Sequence, residues 1–252
     1  MSEKEDLIKK MNGSIEWIKK YVEKARANGV VIGSSGGKDS ATVIAMATKA
    51  LGKENVVTVS MPCNSIKEDL EDARLVAKTF EVPLLEIDLS MVYNEFENTV
   101  NSSLKTINKE IIQEAKINSK PRLRMTTLYS VAQSLGYLVM GTGNLCESTV
   151  GYTTKWGDNA SDFNPIGNFT VSEVLAIGEH LGVPEKIIKK APNDGLGGKT
   201  DEEKMGVTYK QIEEFIKTGE VSDKNAFEKI KKLNEASEHK RKLVPTYNFK
   251  EE

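Results

Sequence analysis

Hydrophobic residues recur along this chain with two alternating spacings, helical and extended. Near the start they stand three and four positions apart on one stripe, and Ser2 and Glu5 have the spacing of a capping box. We therefore predict a first helix that ends near Gly29. Short apolar runs predict four strands, at residues 30–33, 55–61, 84–89 and 137–141.

Segments with helical spacing separate the predicted strands. One follows the first strand and closes at Gly52, a second covers residues 69–80, and a long polar and helical stretch covers residues 90–119. We expect Pro121 to open a further helix that runs to Leu135. Helices between strands that are apolar on both faces indicate βαβ units. The pattern predicts an α/β fold, with an open, mostly parallel, Rossmann-like sheet and helices on both faces.

A glycine-rich segment joins the first predicted strand to the helix that follows it. It has the sequence GSSGGKDS at residues 33–40, and its adjacent glycines allow a tight turn whose N–H groups point inward at a helix start. Such a turn binds anions, and we expect the phosphates of a nucleotide there. Because Asp39 follows Lys38, and Ile32 stands where a Walker loop has its first glycine, the Walker pattern is excluded. A glycine turn that binds nothing is the plainer alternative.

Two polar, glycine-containing segments follow the fourth predicted strand. They have the sequences GTGNLCE at residues 141–147 and GYTTKWGD at residues 151–158. Ligands of open parallel sheets bind beyond the carboxyl ends of the strands. We therefore expect the loops at residues 34–39, 62–67 and 142–147 to converge on one site.

The composition narrows the class of protein. The 252 residues include 35 basic and 37 acidic ones, a net charge of -2, so we expect no nucleic-acid partner. No apolar run has the length of a membrane span or of a signal peptide, so we expect no membrane partner and a cytoplasmic location. Cys63 and Cys146 are too few for a disulfide framework, and with the two histidines they lack the spacing of a zinc site.

The motifs together resemble a known enzyme family. The segment GSSGGKDS resembles the SGGxDS pyrophosphate loop of the N-type ATP pyrophosphatases, which split ATP between its α and β phosphates. The segments at residues 141–147 and 151–158, an aspartate at 162 before Pro165, and EHKR at residues 238–241 are similar to the ammonia-dependent NAD synthetases. GMP synthetases and tRNA-thiolating enzymes share only the first of these motifs.

The resemblance implies a fold, an activity and an assembly. The fold would be of the adenine nucleotide α-hydrolase type, as a single synthetase domain over residues 1–252, with a lid at about 193–206 and a C-terminal helical segment at about 207–252. The activity would be that of a ligase that amidates deamido-NAD to NAD with ammonia. It would use ATP, form an adenylated nicotinate, and release AMP and pyrophosphate. The family forms homodimers, with the dinucleotide bound across the interface.

The resemblance also assigns residues to ATP and to magnesium. The loop would hold the leaving pyrophosphate, and Asp39 and Glu147 would bind Mg²⁺, a hard ion that is held by carboxylates, phosphates and water. The implied ATP-binding residues are Gly33, Ser34, Ser35, Gly36, Gly37, Lys38, Asp39, Ser40, Thr142 and Asn193.

A second set of residues is implied for deamido-NAD and for catalysis. The implied dinucleotide-binding residues are Arg124, Lys155, Asp162, His239 and Lys240. The catalytic set comprises Asp39, Lys155 and Asp158. We assign Asp158 on position alone as the base that takes a proton from ammonium. Taken singly, Arg124 and His239 would be read as solvent-exposed helix charges; their register with the other motifs favours binding roles.

Two positions depart from the family pattern. Many members place a lysine nine residues after the aspartate equivalent to Asp162, where it reaches the ATP phosphates, but this chain has Val171. Another cation must serve there, or none does. Asn193 stands where the lid of the family has a threonine, and an asparagine can still donate a hydrogen bond.

Ammonia is the expected nitrogen source. Glutamine-using relatives carry an additional domain with a nucleophilic cysteine, whereas the synthetase match already occupies nearly the whole of this chain. Cys63 follows a strand-ending proline and Cys146 lies within a loop motif, so we interpret both as small structural residues. A separate glutaminase subunit is the alternative source.

Two other functions stay open at this point. The chain could be another N-type pyrophosphatase that adenylates a different acceptor, although a tRNA enzyme would be expected to show a basic patch or paired cysteines. It could instead be a regulatory module that binds a nucleotide without catalysis. The presence of both acids, Asp39 and Glu147, favours an enzyme.

Overall fold

A parallel four-stranded sheet organises the chain. The computed structural model describes residues 2–65, 67–190 and 200–247. Within them the strand order is β3-β2-β1-β4, and all neighbouring pairs are parallel. The strands are β1 Val30–Gly33, β2 Val56–Ser60, β3 Leu84–Glu86 and β4 Leu138–Met140. The predicted parallel sheet and its four strands are confirmed, although three of the strands are shorter than predicted.

Helices of very different length connect and flank the strands. Short 3-10 turns cover Lys53–Asn55 and Glu238–Lys240. The helices of the described residues are α1 Glu3–Lys24, α2 Lys38–Leu51, α3 Lys67–Thr79, α4 Ser90–Lys105, α5 Gln113–Leu135, α6 Leu145–Val150, α7 Val171–His180, α8 Glu185–Ile188, α9 Asp201–Met205, α10 Tyr209–Thr218 and α11 Lys224–Ala236.

Both faces of the sheet are covered by helices, as predicted. Successive residues of a strand point to opposite faces, so Val30 and Ile32 of β1 join the apolar core with α1, α2 and α7, whereas Val31 joins a second cluster with α4 and α5. All three β1 side chains are fully buried. This two-sided burial explains why the strands are continuously apolar in sequence.

The ends of α1 and α2 follow local capping chemistry. The Ser2 hydroxyl accepts the Glu5 N–H, and the Glu5 carboxylate accepts the Ser2 N–H, which confirms the predicted capping box. Gly52, with φ of +82°, follows α2 as predicted. The start of α2 is Lys38, so the last three residues of the glycine-rich segment are already helical.

The prediction that Pro121 opens a helix is wrong. Pro121 lies inside α5, which begins at Gln113. Proline lacks one backbone N–H, so the helix loses a single bond to the carbonyl four residues earlier. The packing of α5 against β1 and β4 outweighs that loss. The proline itself is buried and lies near Gly157, away from the apolar cluster that α5 forms with the sheet.

The expected C-terminal helical segment forms a separate apolar cluster. Ile212 of α10 and Ile230 of α11 are fully buried against Cys146 and Val150 of α6. This cluster attaches α10 and α11 to the segment that follows β4. Among the described residues, no helix combines the length and the apolar character that crossing a membrane requires.

Candidate nucleotide-binding and active site

A cleft of about 480 Å³ lies beyond the carboxyl ends of the strands. Its walls include the glycine-rich loop after β1, residues 61–65 after β2, and residues 142–154 after β4. The predicted convergence of these three loops is confirmed. It follows from the parallel sheet, which brings the carboxyl ends of β2, β1 and β4 to one edge.

The turn of the glycine-rich loop depends on Gly36. Its φ is +76°, and a Cβ at this position would lie 2.5 Å from the Asp69 carbonyl oxygen and 2.9 Å from the Asp72 Cβ. A side chain is therefore excluded by both conformation and space. Gly37 then forms the N-cap of α2 and offers no side chain of its own to the helix start. The free N–H groups of the first turn of α2 are left to bind an anion.

The loop also contains a buried hydroxyl group that has no partner. Ser34 is 4% exposed and lines the cleft, and its Oγ has no hydrogen-bond partner among the described residues. In contrast, the Ser40 hydroxyl donates to the Gly37 carbonyl at 3.0 Å and lies 3.1 Å from the Ser35 Oγ. Buried polar groups are almost always paired in folded proteins. The unpaired Ser34 hydroxyl therefore indicates that a polar ligand belongs in the cleft.

Asn144 holds the two acidic residues of the site together. Its Nδ2 donates to Asp39 Oδ1 at 3.0 Å, and its backbone N–H donates to Glu147 Oε2 at 2.9 Å. The Asn144 Oδ1 accepts the Glu147 N–H at 3.0 Å, which completes a capping box at the start of α6. Burial and the nearby charge of Asp39 raise the pKa of Glu147 well above its ordinary value. Two carboxylates that oppose each other's ionisation favour the binding of a cation.

These two carboxylates fit a magnesium ion. Among the residues that the structure describes, no group of three or more histidine, cysteine, aspartate or glutamate side chains could hold a metal. Magnesium does not need such a group, because it is usually bound through one or two carboxylates together with substrate phosphates and water. The oxygen-only donors of Asp39 and Glu147 match this requirement.

Lys38 supplies a buried positive charge beside the acidic pair. The residue is 7% exposed, and its Nζ lies 3.3 Å from Asp39 Oδ2 and 5.7 Å from the ring centre of Tyr209. Its charge opposes the rise in the pKa of Glu147. Val171 packs in the same apolar cluster as Tyr209 and is buried, so residue 171 supplies no charge to the cleft.

Arg124 and Lys240 stand on the cleft wall, held by backbone carbonyls. The Arg124 Nε donates to the Met61 carbonyl at 3.1 Å, and another guanidinium nitrogen donates to Ser65 Oγ at 3.1 Å. The Lys240 Nζ donates to the carbonyls of Gly151 at 2.7 Å and Thr153 at 2.6 Å. Burial lowers the pKa of Lys240.

Asp158 faces the cleft near Lys240. Its carboxylate accepts the Thr154 N–H at 2.8 Å. Although solvent reaches this residue, the surrounding walls desolvate the carboxylate and raise its pKa. A raised pKa makes a carboxylate a stronger base, which is the property that a proton acceptor needs.

The structure does not bring every predicted residue to the cleft wall. Gly33 pairs with β2, and Lys155 extends over the ring of Trp156. Asp162 lies beside β4, where its Oδ2 accepts the Val139 N–H at 2.7 Å. His239 is exposed in the C-terminal 3-10 turn and lines neither this cleft nor the smaller cavity beside it. Asn193 and the first part of the predicted lid lie outside the described residues.

A smaller cavity of about 270 Å³ adjoins the cleft. Among the described residues its walls consist of glycines and of amide, hydroxyl and charged side chains. It shares Asp158 and Lys240 with the cleft. The two cavities therefore meet at the predicted proton acceptor.

The sequence analysis gave no role to Asn144, Asp201 or Lys190, and of these Asn144 lines the smaller cavity. Asn144 could have been found from its capping-box spacing to Glu147. Asp201, whose carboxylate accepts the hydroxyls of Tyr152 and Tyr209 at 3.3 and 3.2 Å, has no such signal of its own. Lys190 also lines the cleft, and its place there depends on tertiary packing.

Both cysteines are buried, as the sequence analysis expected. Cys63 and Cys146 are free thiols with no exposed surface. Burial raises the pKa of each thiol, that of Cys146 to about 12. Neither thiol is suited to act as a nucleophile.

Comparisons with known proteins agree with these features. The family model of NAD synthase matches residues 10–244. The NH(3)-dependent NAD(+) synthetase of Carboxydothermus hydrogenoformans is 41% identical over 91% of this chain and 93% of that protein. Among solved structures, an NMN synthetase from Francisella tularensis has a TM-score of 0.89 and 34% identity, and covers 96% of this chain and 99% of its own.

The NH3-dependent NAD synthetase of Campylobacter jejuni, solved with a nitrate ion, has a TM-score of 0.77 and 28% identity, and covers 96% of this chain and 99% of its own. The match therefore extends over the sheet, the cleft and the C-terminal helices alike. The matched residues include both the glycine-rich loop and the C-terminal EHKR segment. This chain therefore belongs to the NAD synthase family.

Proposed function

We propose that this protein uses ATP and ammonia to amidate deamido-NAD, producing NAD, AMP and pyrophosphate. The observation that carries the proposal is one juxtaposition. The glycine-rich loop, with the unpaired Ser34 hydroxyl, faces the same cleft as the Asp39 and Glu147 pair. An anion-binding loop next to paired carboxylates is the arrangement that a magnesium-bound polyphosphate requires.

ATP would bind along the loop after β1. The groups that would hold its phosphates are the first-turn N–H groups of α2, the hydroxyls of Ser34, Ser35 and Ser40, and the Lys38 ammonium. Thr142, which lines the same cleft, would contact ATP as well. Asp39 and Glu147 would hold Mg²⁺, which when bound supplies positive charge to the phosphate oxygens. Asn193 belongs to the same proposed site on resemblance alone.

The first step would transfer the adenylyl group. A carboxylate oxygen of the nicotinate attacks the α-phosphorus of ATP, and the bond from that phosphorus to the bridging oxygen of pyrophosphate breaks. The loop N–H groups and Lys38 stabilise the charge that develops on pyrophosphate. Arg124 and Lys240, which are held on the cleft wall by backbone carbonyls, would orient the dinucleotide.

The second step would form the amide. Ammonia attacks the activated carbonyl carbon, the bond to the AMP oxygen breaks, and AMP leaves. Asp158 would take the proton that the nitrogen loses, since its carboxylate faces the cleft and its pKa is raised by desolvation. Lys155 remains part of the proposed catalytic set through its place in the GYTTKWGD segment.

We also propose that a single synthetase domain of this kind works as a homodimer. Met91, Val92 and Phe96 of α4 are 84%, 52% and 41% exposed, although they are large apolar residues. Such an apolar surface favours association. Asp162 and His239 lie away from the cleft of the single chain, which supports a dinucleotide that extends across a subunit interface.

A second candidate is amidation of the corresponding mononucleotide to NMN. The observation that favours it is the higher structural likeness to the NMN synthetase, with a TM-score of 0.89 against 0.77 for the C. jejuni NAD synthetase. Both reactions convert a nicotinate carboxylate to an amide, so the loop, the acids and Asp158 would have the same roles in each.

Substrate competition decides between the two candidates. We would measure kcat/KM for deamido-NAD and for nicotinic acid mononucleotide with ATP, Mg²⁺ and ammonium, following AMP release. The proposal expects deamido-NAD to be preferred at least about 10-fold. A preference for the mononucleotide would assign the second function. If neither deamido-NAD nor the mononucleotide leads to AMP release, both candidate functions are rejected.

A further inference from the structure

Lys190 is a cleft-lining cation to which no role has been given so far. Its Nζ donates to Asp69 Oδ1 at 2.9 Å and to Asp72 Oδ2 at 2.6 Å, and its side chain is 26% exposed. Burial alone would lower the pKa of Lys190, but the hydrogen bonds to the two carboxylates outweigh it and raise the pKa. The side chain is therefore a permanent ammonium group at the edge of the cleft.

Asp72 fixes the position of this ammonium group. The residue has no exposed surface, and its second oxygen accepts the Nζ of Lys186 at 2.6 Å. Burial would raise the pKa of Asp72, but the bonds from Lys186 and Lys190 outweigh it and lower the pKa. Asp72 is thus a buried carboxylate shared by two lysines.

The two lysines face different surroundings. Lys190 lines the cleft together with Asp69, whereas Lys186 is 53% exposed and lines neither cavity. The Lys186 Nζ also lies 3.5 Å from the Glu68 Oε1. Of the two lysines bonded to Asp72, Lys190 lines the cleft and Lys186 does not, so the ammonium group of Lys190 is the one that a ligand in the cleft could reach.

The two aspartates that hold Lys190 belong to a helix that packs against the glycine-rich loop. The loop contacts α3 through Gly36, where an added Cβ would clash with the Asp69 carbonyl and the Asp72 Cβ. The carboxylates that hold Lys190 are thus next to the turn that is proposed to bind phosphate. Within the described part of the chain, the bonds to Asp69 and Asp72 use two of the three N–H groups of Lys190.

We propose that Lys190 binds the polyphosphate of ATP through its third N–H group, and that Asp72 is the residue that positions it. The inference rests on the ATP site of the proposed function. Lys38 and Lys190 would then place a positive charge on each side of the loop, one beside Asp39 and the other beside Asp69. A charge-assisted hydrogen bond of this kind adds affinity for ATP without contacting the dinucleotide.

Lys186 provides the matched control for the test. We would compare Lys190→Met with Lys186→Met, since each variant removes one bond to Asp72 and changes the charge equally. Isothermal titration with Mg-ATP alone should show a dissociation constant about 10- to 100-fold higher for Lys190→Met. The dissociation constant of Lys186→Met should equal that of the wild type. The KM for ATP should rise in parallel for Lys190→Met, with the KM for the acid substrate unchanged. Lys190→Arg should restore most of the affinity.

Equal ATP affinities for Lys190→Met and Lys186→Met would overturn the proposal and assign Lys190 a structural role. If Lys190→Met does not fold, Lys190→Gln replaces it, because an amide can still donate to Asp72 but carries no charge. The titration is independent of the amidation chemistry. A wild-type protein that binds Mg-ATP but amidates neither acid would contradict the proposed function and leave the inference about Lys190 intact.

Discussion

Asn144 links the two acidic residues on which the candidate site depends. It is 1% exposed and bonds to Asp39 through its amide and to Glu147 through its backbone. A buried amide in this position fixes the direction of both carboxylates before any ligand binds. The chemistry at the residue scale therefore depends on the orientation of a few buried polar groups.

Replacement of Asp39 tests the proposed metal and phosphate site. Asp39→Asn keeps the size of the side chain but removes its charge, so we expect ATP–pyrophosphate exchange to fall at least about 100-fold. Asp223→Asn is the control, because Asp223 caps α11 and asparagine is an equally good N-cap. Normal ATP–pyrophosphate exchange by Asp39→Asn would contradict the proposed role of Asp39 in the site.

Sequence reasoning found the residues of the loops better than the residues of the walls. Ser34 and Asp39 follow directly from a glycine motif between a strand and a helix, because the local turn decides their direction. Lys190 and Asp201 reach the cleft through packing between elements that are distant in sequence. Asp162, which the resemblance assigns to the dinucleotide, accepts a backbone N–H of β4 in the single chain. No local pattern contains that information.

At the scale of elements, the site depends on the contact between the glycine-rich loop and α3. This contact requires a residue without a side chain at Gly36 and places Asp69 and Asp72 behind the loop. It couples the proposed phosphate site to the packing of α3.

A pair of glycine substitutions tests this contact. Gly36→Ala should lower the free energy of unfolding by about 2–4 kcal/mol and weaken Mg-ATP binding, because of its positive φ and the overlap with Asp69. Gly13→Ala is the control: a Cβ added there, inside α1, would have no neighbour within 4 Å, and we expect a gain of about 0.5–1 kcal/mol. Urea unfolding measures both; a stable Gly36→Ala variant with normal ATP affinity would contradict the role of the contact.

The buried Asp72 should make stability depend on pH. Its pKa is lowered in the folded state, so its contribution is present above the ordinary pKa of an aspartate, about 3.9, and is lost as the pH falls through the lower folded value. Asp72→Asn should cost about 2–4 kcal/mol at pH 7, and the difference from wild type should shrink below about pH 4. Urea midpoints measured from pH 7 down to the acid limit check this. A difference that is constant with pH would show that charge is not the cause.

The order of elements was predictable, whereas their exact bounds were not. Apolar runs separated by helical spacing identify a parallel sheet, since a strand buried on both sides, such as β1, must be apolar throughout. The position of Pro121 inside α5 shows the limit of local signals. Tertiary packing can offset the one hydrogen bond that a proline removes.

At the scale of the whole molecule, the walls of the cleft come both from the sheet edge and from segments that follow the sheet in sequence. Asp201 and Lys240, which follow the sheet in sequence, line the same cleft as the glycine-rich loop. The site is therefore assembled from segments between Ser34 and Lys240.

The proposed homodimer predicts a defined mass in solution. Light scattering should give twice the mass of the chain, and Phe96→Glu together with Val92→Glu should reduce it to one chain without unfolding, because both residues are exposed on α4. A wild-type monomer would contradict the proposed dimer and the extension of the dinucleotide site across it.

The most direct test of ammonia-dependent amidation is the transfer of labelled nitrogen. Purified protein would be given ATP, Mg²⁺, deamido-NAD and ¹⁵N-ammonium, with unlabelled glutamine in a parallel reaction. We predict NAD that carries the label in its amide, formed in equal amount with AMP, and no NAD from glutamine. AMP without labelled NAD, or no turnover at all in a folded protein that binds ATP, would contradict the proposed function.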